Sequence, residues 1–177
     1  MNDFILNMEH LGDQFYSKFG IPGVIGSIDG TDIAIVHPKD HEERFFCRKN
    51  DHSLNVQPIC NADMQIISIG ARHGGATHDS FIWSHRSLCA YLNNLSSNEG
   101  LRLLEGSEEA FHTDRHVKTR NVIERTIGLL KARFRCLLVH RTLNYEPQVA
   151  GLITNACAIL HNICNEANVP AEELPRE

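Results

Sequence analysis

Three carboxylates in this chain of 177 residues stand at places where an acid needs an explanation. Asp29 ends an apolar run at residues 24–28, where a carboxylate is costly unless it binds something or faces a cleft. Asp79 lies between a predicted strand and a predicted helix, shortly after two glycines. Glu124 is the single acid between residues 115 and 141, which hold eight basic residues. Acids on separate elements beside a basic stretch suit oxygen-ligated Mg²⁺ or Mn²⁺, and two such ions can cleave a phosphodiester.

Each of these acids also has a purely structural explanation. Asp29 could cap its own turn, as Asp before Gly often does. Asp79 could be the N-cap of the following helix. Glu124 could pair with Arg120 one helical turn away, although a salt bridge would not explain Gly128, which leaves room for a ligand above the helix. The residues alone leave these alternatives open.

Zinc is the competing metal, because the chain contains 11 histidines. The ones considered as ligands are His73, His78, His112 and His116. They do not form the close pairs of a structural zinc site, so the pattern favours a cation bound by carboxylates.

Composition indicates one globular domain in a reducing compartment. The hydrophobic fraction of 42% and charged fraction of 22% are ordinary for such a domain. A net charge of −5 argues against a uniformly basic surface, so any affinity for nucleic acid must come from the local basic stretch. The six cysteines show no CxxC spacing, which argues against a disulfide framework. We expect no signal peptide and no membrane span, because no apolar run approaches about 20 residues.

The pattern of apolar residues predicts strands first and helices after them, as in a mixed α/β domain. The predicted helices are residues 4–19, 80–95, 121–134 and Pro147 to about Glu166, and the predicted strands are residues 24–36, 54–60 and 65–72. The first strand is either two strands around a turn at Gly30-Thr31 or one strand with a kink at a glycine. The last helix is apolar nearly all round, which predicts that it is buried.

Five motifs in one order resemble those of the Harbinger transposases and their domesticated nucleases. They are Gly23–Thr31, Arg48-Lys49 with Ser53–Gln57, His78–Ser80, Thr119–Leu137 and Ala158–Cys164. The resemblance covers roughly residues 20–165 and implies a ribonuclease-H-like fold, an α/β domain with a mixed sheet flanked by helices. It also implies a metal-dependent DNA-cutting site of the Asp-Asp-Glu type.

The resemblance assigns roles to residues of this chain. Asp29 would be the first acid and Glu124 the third, and both would bind Mg²⁺ or Mn²⁺, with Asp79 in a supporting place. The basic side chains expected to hold DNA are Lys118, Arg120, Arg125, Lys131 and Arg135. The family also works with a Myb-like DNA-binding partner protein, and its substrate implies the nucleus, with the cytoplasm as a second location.

The chain departs from the family where the second acid belongs. In the family, a strand ending in Gly-Asp-x-Gly-Tyr supplies that acid. Here Leu103-Leu104 resembles the start of the strand, whereas Glu105–Phe111 resembles a stretch well beyond it, so a segment is missing after Leu104. Glu105 and Asp114 are candidate substitutes, but neither is predicted to end a strand. We therefore predict a truncated core strand and weak or absent cleavage, because positioning and electrostatics supply most phosphoryl-transfer catalysis.

The predicted organisation is a lead-in helix at residues 1–20, a nuclease domain at 21–166 and a flexible tail at 167–177. An alternative function is a non-catalytic DNA- or protein-binding module derived from a transposase. A small metallohydrolase with another substrate would explain Asp29 and Glu124 but not the basic stretch. The sequence does not predict an oligomeric state.

Overall fold

The sheet has five strands, and helices pack against it. The computed structural model describes residues 8–47, 50–90, 102–105 and 114–171. The strands are β1 (Val24–Ile28), β2 (Thr31–Ala34), β3 (Ser53–Cys60), β4 (Ile66–Gly74) and β5 (Arg102–Glu105). The helices are α1 (Met8–Phe19), α2 (Asp79–Ser84), α3 (Asp114–Arg133) and α4 (Pro147–Glu166), with 3-10 turns at Glu42–Arg44 and Arg135–Leu137. The motif residues Arg48-Lys49 and the tail beyond residue 171 lie outside the described residues.

β1 and β2 are two halves of one strand that is interrupted at Asp29-Gly30. Both halves pair antiparallel with β3. Ile28 lies opposite Ile59, and Thr31 lies opposite Val56, so the register is the same on both sides of the interruption. Of the two arrangements that the sequence left open, the kinked strand is therefore the correct one. The kink places Asp29 in the middle of the sheet rather than at its edge.

The sheet order is β4, β3, the strand formed by β1 and β2, and then β5. β3 is antiparallel to both of its neighbours, β4 and the strand formed by β1 and β2, whereas β5 runs parallel to β1. A mixed sheet of this order flanked by helices is consistent with a ribonuclease-H-like fold. The predicted fold class, an α/β domain that begins with antiparallel strands, is confirmed.

β5 corrects one prediction about the acids. Glu105 was not expected to end a strand, yet it is the last residue of β5 and pairs with Ile28, next to Asp29. Asp114 is instead the first residue of α3. The four residues of β5 are too few to show a period, and it is their pairing with β1 that makes them a strand.

The core forms where the helices meet the sheet. α1 lies on β1, with Phe15 fully buried in a cluster that includes Val24. α4 lies on β4, and Ala150 belongs to the main core cluster with Leu54 and Leu130 of α3. No helix in the described ranges is both long and apolar enough to cross a membrane.

The prediction that the last helix is buried all round is wrong for one of its faces. α4 has the predicted bounds, but the side chains of Leu152, Ile159 and Ile163 are 67%, 64% and 54% exposed. Small residues such as Ala150 and Gly151 form the face that packs on β4. An apolar pattern shows which residues can be buried, whereas the number of neighbouring elements decides how many faces are covered.

The motif near the end of α4 attaches that helix to the turn between β3 and β4. His161 Nε2 donates to the carbonyl oxygen of Met64 at 3.0 Å, and Arg133 of α3 donates to His161 Nδ1 at 3.1 Å. The Asn162 side chain bonds both the N–H and the C=O of Ile66, at 2.8 and 2.9 Å. In this structure the motif therefore has an architectural role.

Substituting His161 is expected to change how the stability of the protein depends on pH. Burial, the largest cause, lowers the pKa of His161 below its ordinary 6.5. The unfolded chain therefore takes up a proton first, so the free energy of unfolding falls as the pH drops below about 6.5. We expect His161→Gln to be less stable at neutral pH by about 1–3 kcal/mol. Between neutral pH and about pH 5.5, its free energy of unfolding, measured with urea, should fall less than that of the natural chain.

The natural chain, unfolded in urea at the same pH values, is the reference for this prediction. An acid sensitivity that is identical in His161→Gln would contradict the assignment, because the pH dependence would then come from other groups.

Candidate active site

Asp29 is half-buried at the kink of the central strand. Its Oδ1 accepts a hydrogen bond from the N–H of Gly30 at 2.8 Å, so the turn-capping role considered for this residue is present. The pKa of Asp29 is nevertheless raised, first by burial and then by the nearby carboxylates of Asp79 and Glu124. The Gly30 N–H and the Arg120 guanidinium lower it. Three acids thus lie close enough to affect one another, and a bound cation would offset the cost of ionising Asp29.

Asp79 reaches the same strand from the start of α2. The N-cap of α2 is His78, without a side-chain cap, so the N-cap alternative for Asp79 does not hold. Asn55 donates to Asp79 Oδ1 at 2.7 Å and to the carbonyl oxygen of Thr77 at 2.9 Å. A Cβ on Gly30 would lie 2.4 Å from Asp79 Oδ1, so only glycine lets this carboxylate come so close to the strand. The Asp-Gly pair and Asn55 together position Asp79.

Asn55 is a site residue that the sequence analysis did not single out. It lies within the motif Ser53–Gln57, which was noted for its resemblance alone. The two oxygens that accept hydrogen bonds from its Nδ2 belong to residues more than 20 positions away in the chain. No local pattern could have shown that this amide lies against Asp79.

Glu124 lies on the exposed side of α3 and makes the salt bridge that was considered as its structural explanation. Arg120 Nε donates to Glu124 Oε1 at 3.0 Å. Both side chains are more than 40% exposed, so the pair contributes little to stability. A Cβ placed on Gly128, one turn further on, would meet nothing within 4 Å. Space for a ligand therefore exists beside Glu124, as the sequence suggested.

Lys131 fixes α3 on the sheet near Asp29. Its Nζ donates to Thr31 Oγ1 at 2.7 Å and to the carbonyl oxygen of Asp32 at 3.1 Å. Alternate residues of a strand share a face, and the register continues across the kink, so Thr31 lies on the same face as Asp29. Lys131 was predicted to hold DNA, but here its amino group holds the helix that carries Glu124.

The other predicted DNA contacts divide into two groups. Lys118, Arg125 and Arg135 are exposed, whereas Arg120 is paired with Glu124. Arg133, a further member of the basic stretch, bonds His161, Asn165 and Val169 and so connects α3 to the end of α4. The surface available for phosphate contacts is therefore smaller than the sequence count of basic residues indicates.

A cleft of about 570 Å³ opens beside Asp79. Asp32, Asn55 and Cys47 also line it. Ser53 Oγ donates to Asp32 Oδ1 at 2.9 Å, which holds that carboxylate on the cleft wall. The volume lies within the range that small-ligand sites occupy, so a nucleotide-sized group fits beside Asp79 and Asp32.

A family model described as DDE superfamily endonuclease matches residues 28–162, which include Asp29, Asp79 and Glu124. The chain belongs to this family. The resemblance stated from the motifs is thereby confirmed. DDE endonucleases usually use divalent metals, and the carboxylate donors around Asp29 suit such an ion.

Curated relatives of this DDE-family chain come from several vertebrates, all under the name "Putative nuclease HARBI1", and these nucleases derive from Harbinger transposases. The Bos taurus protein is 29% identical over 198 residues, covering 97% of this chain and 57% of the relative. The Xenopus laevis protein is 28% identical over 175 residues, covering 89% and 50%. This chain thus spans about half the length of the curated relatives. No solved structure matches it significantly.

Proposed function

We propose that this chain is a metal-dependent DNA endonuclease domain of the Harbinger transposase type with weak activity. Its family and its relatives support a nuclease of the DDE superfamily. The observation that carries the metal and the substrate is the placement of half-buried Asp29 close to Asp79 and Glu124 and to exposed basic residues. A site that concentrates negative charge beside a basic surface is suited to a cation and a phosphodiester.

Each group of residues in the site has its own proposed role. Asp29 and Glu124 would hold Mg²⁺ or Mn²⁺, and such an ion would supply Lewis-acid chemistry for phosphodiester cleavage. Asp79, fixed by Asn55 and by the close approach at Gly30, adds negative charge at the same place. The exposed side chains of Lys118, Arg125 and Arg135 hold the DNA backbone.

The activity is weak because the acid on β5 is out of register with Asp29. Glu105 pairs with Ile28, one position before Asp29. The missing segment after Leu104 would supply the second acid in the family. The Bos taurus alignment extends over 198 residues, more than the 177 of this chain, so the relative has residues in the aligned region that this chain lacks. Loss of one electrostatic partner of a transition state costs about 10²–10³ in rate.

Nicking of supercoiled plasmid by the purified chain tests the proposal. We expect slow nicking that requires Mn²⁺ or Mg²⁺ and disappears in Asp29→Asn and in Glu124→Gln. Asp29→Asn should be at least as stable as the natural chain, because the raised pKa means that ionised Asp29 destabilises the fold above its pKa. Thermal unfolding therefore separates a lost site from a lost fold. Nicking that survives in both variants, or that needs no metal, would refute the assignment.

A non-catalytic DNA-binding module is the second candidate function. It is favoured by the Arg120–Glu124 salt bridge, which occupies the third acid, and by the exposed basic residues. DNA binding measured against salt concentration discriminates the two candidates. If the folded chain binds DNA with a steep salt dependence that Lys118→Ala with Arg125→Ala reduces, but never nicks it, the binding module is correct.

The location and the partner are also proposals. We infer that the chain acts in the nucleus, where its substrate is, with the cytoplasm as a second location, and that a Myb-like protein supplies sequence recognition. The family resemblance supports both. Co-purification of a tagged chain with a Myb-like protein, together with its distribution between nucleus and cytoplasm, tests them.

A further inference from the structure

A second group of possible metal ligands lies in the connection between β2 and β3. His37 Nε2 lies 3.0 Å from Glu42 Oε2, and His52 Nε2 lies 3.0 Å from Glu42 Oε1. One ligand atom from each of the three residues can be chosen so that all lie within 4.8 Å of one another. One carboxylate thus faces two imidazoles at the same time.

This donor set is chemically different from that around Asp29. Two imidazole nitrogens with one carboxylate are a three-ligand set that zinc uses when its fourth position is open. Ligands bound at about 2.0–2.1 Å in a tetrahedron lie about 3.3 Å apart. The two 3.0 Å separations are to different oxygens of Glu42, and one ligand atom from each residue lies within 4.8 Å of the others, so side-chain rotation must bring the three ligands closer together. Imidazole ligands suit Zn²⁺, whereas Mg²⁺ takes oxygen ligands.

Part of the cluster is already held in place. The His52 side chain is only 14% exposed, and its ring lies edge-on to Phe46, with centroids 5.5 Å apart. Residues 46 and 52 are joined by an antiparallel bridge. Glu42 begins the 3-10 turn Glu42–Arg44, whose backbone fixes where its side chain starts. A cation therefore finds two of its three ligands in place.

We propose that His37, Glu42 and His52 bind one Zn²⁺, which would hold the β2–β3 connection against the start of β3. The same connection contains Phe46 and Cys47, which line the cleft beside Asp79. Zinc binding would make that wall of the cleft more rigid. This site uses none of the carboxylates of the proposed nuclease, and none of its three residues is among the histidines weighed in the sequence.

Competition with a chromogenic zinc chelator, together with thermal unfolding, tests the site. The variants are His37→Gln and Glu42→Gln, whose side chains are 62% and 48% exposed, so both should fold. We expect each to weaken zinc binding by at least about tenfold. Zinc should raise the unfolding temperature of the natural chain and leave that of the variants unchanged.

The same connection offers a matched control. His41 and Glu43 are exposed and lie 3.7 Å apart, so His41→Gln with Glu43→Gln removes a similar pair and should keep full zinc affinity. Cys136→Ser removes an exposed thiol and should also leave the affinity unchanged. Asp29→Asn should bind zinc normally, even if it abolishes nicking.

Three results would overturn the proposal. Equal zinc affinity in His37→Gln, Glu42→Gln and the natural chain would place the metal elsewhere. Loss of zinc affinity in Asp29→Asn would place it at the acids. An absence of zinc binding and of any rise in unfolding temperature would leave His37, Glu42 and His52 as surface ion pairs only.

Discussion

Moving the acid at the end of β5 one residue along the chain is expected to raise metal-dependent nicking by about tenfold or more. The change is Glu105→Gly together with Gly106→Asp. Glu105 pairs with Ile28, and Asp29 follows Ile28 in the chain, so we expect an acid at position 106 to match Asp29 better than Glu105 does. The change also restores the Gly-Asp sequence with which the family's strand ends. The rate of plasmid nicking in Mn²⁺ measures the gain.

The controls separate a repaired site from a general effect. Glu105→Gly alone should show no gain, and adding Asp29→Asn to the double variant should abolish the gained activity. Thermal unfolding shows whether the double variant keeps the stability of the natural chain. A folded double variant that nicks no faster would contradict the view that the acid's register limits the rate.

Gly151→Ala is expected to lower the stability of the protein by adding a single methyl group. A Cβ at this position would lie 2.4 Å from the carbonyl oxygen of Ala71, so α4 and β4 would have to move apart. Forcing extra volume into such a contact costs about 1–3 kcal/mol. For a chain of this size, that lowers the unfolding temperature by roughly 2–10 °C. Differential scanning calorimetry measures the change.

Gly128→Ala is the matched control, and it is expected to raise the stability of the protein. Gly128 is also in a helix, but its added Cβ would meet nothing within 4 Å. Replacing a helical glycine by alanine then stabilises by about 0.5–1 kcal/mol. If both substitutions destabilised equally, close packing of α4 on Ala71 would not be the cause.

The sequence by itself determined the elements whose signals are local. Pro147 and an apolar pattern placed α4 within its observed bounds, and the stretch around Glu124 predicted α3 from Asn121 onward, although this helix begins at Asp114. The antiparallel β3–β4 hairpin followed from two apolar runs around the turn at Asn61. These signals come from turn residues and periodicity within about ten neighbours, which a single sequence displays. The family also followed from the sequence, because its motifs occur in order.

Only the tertiary structure decided which distant residues meet. Lys131 bonds Thr31 across 100 positions, a contact that no local pattern predicts. The pairing of β5 with β1 gave Glu105 its place beside Ile28, and the packing of α4 on β4 left Ile159 exposed. Such contacts depend on the register of strands and on how many elements cover a face. A local sequence pattern shows neither of these. The sequence therefore identified the candidate acids, and the fold determined how they lie relative to one another.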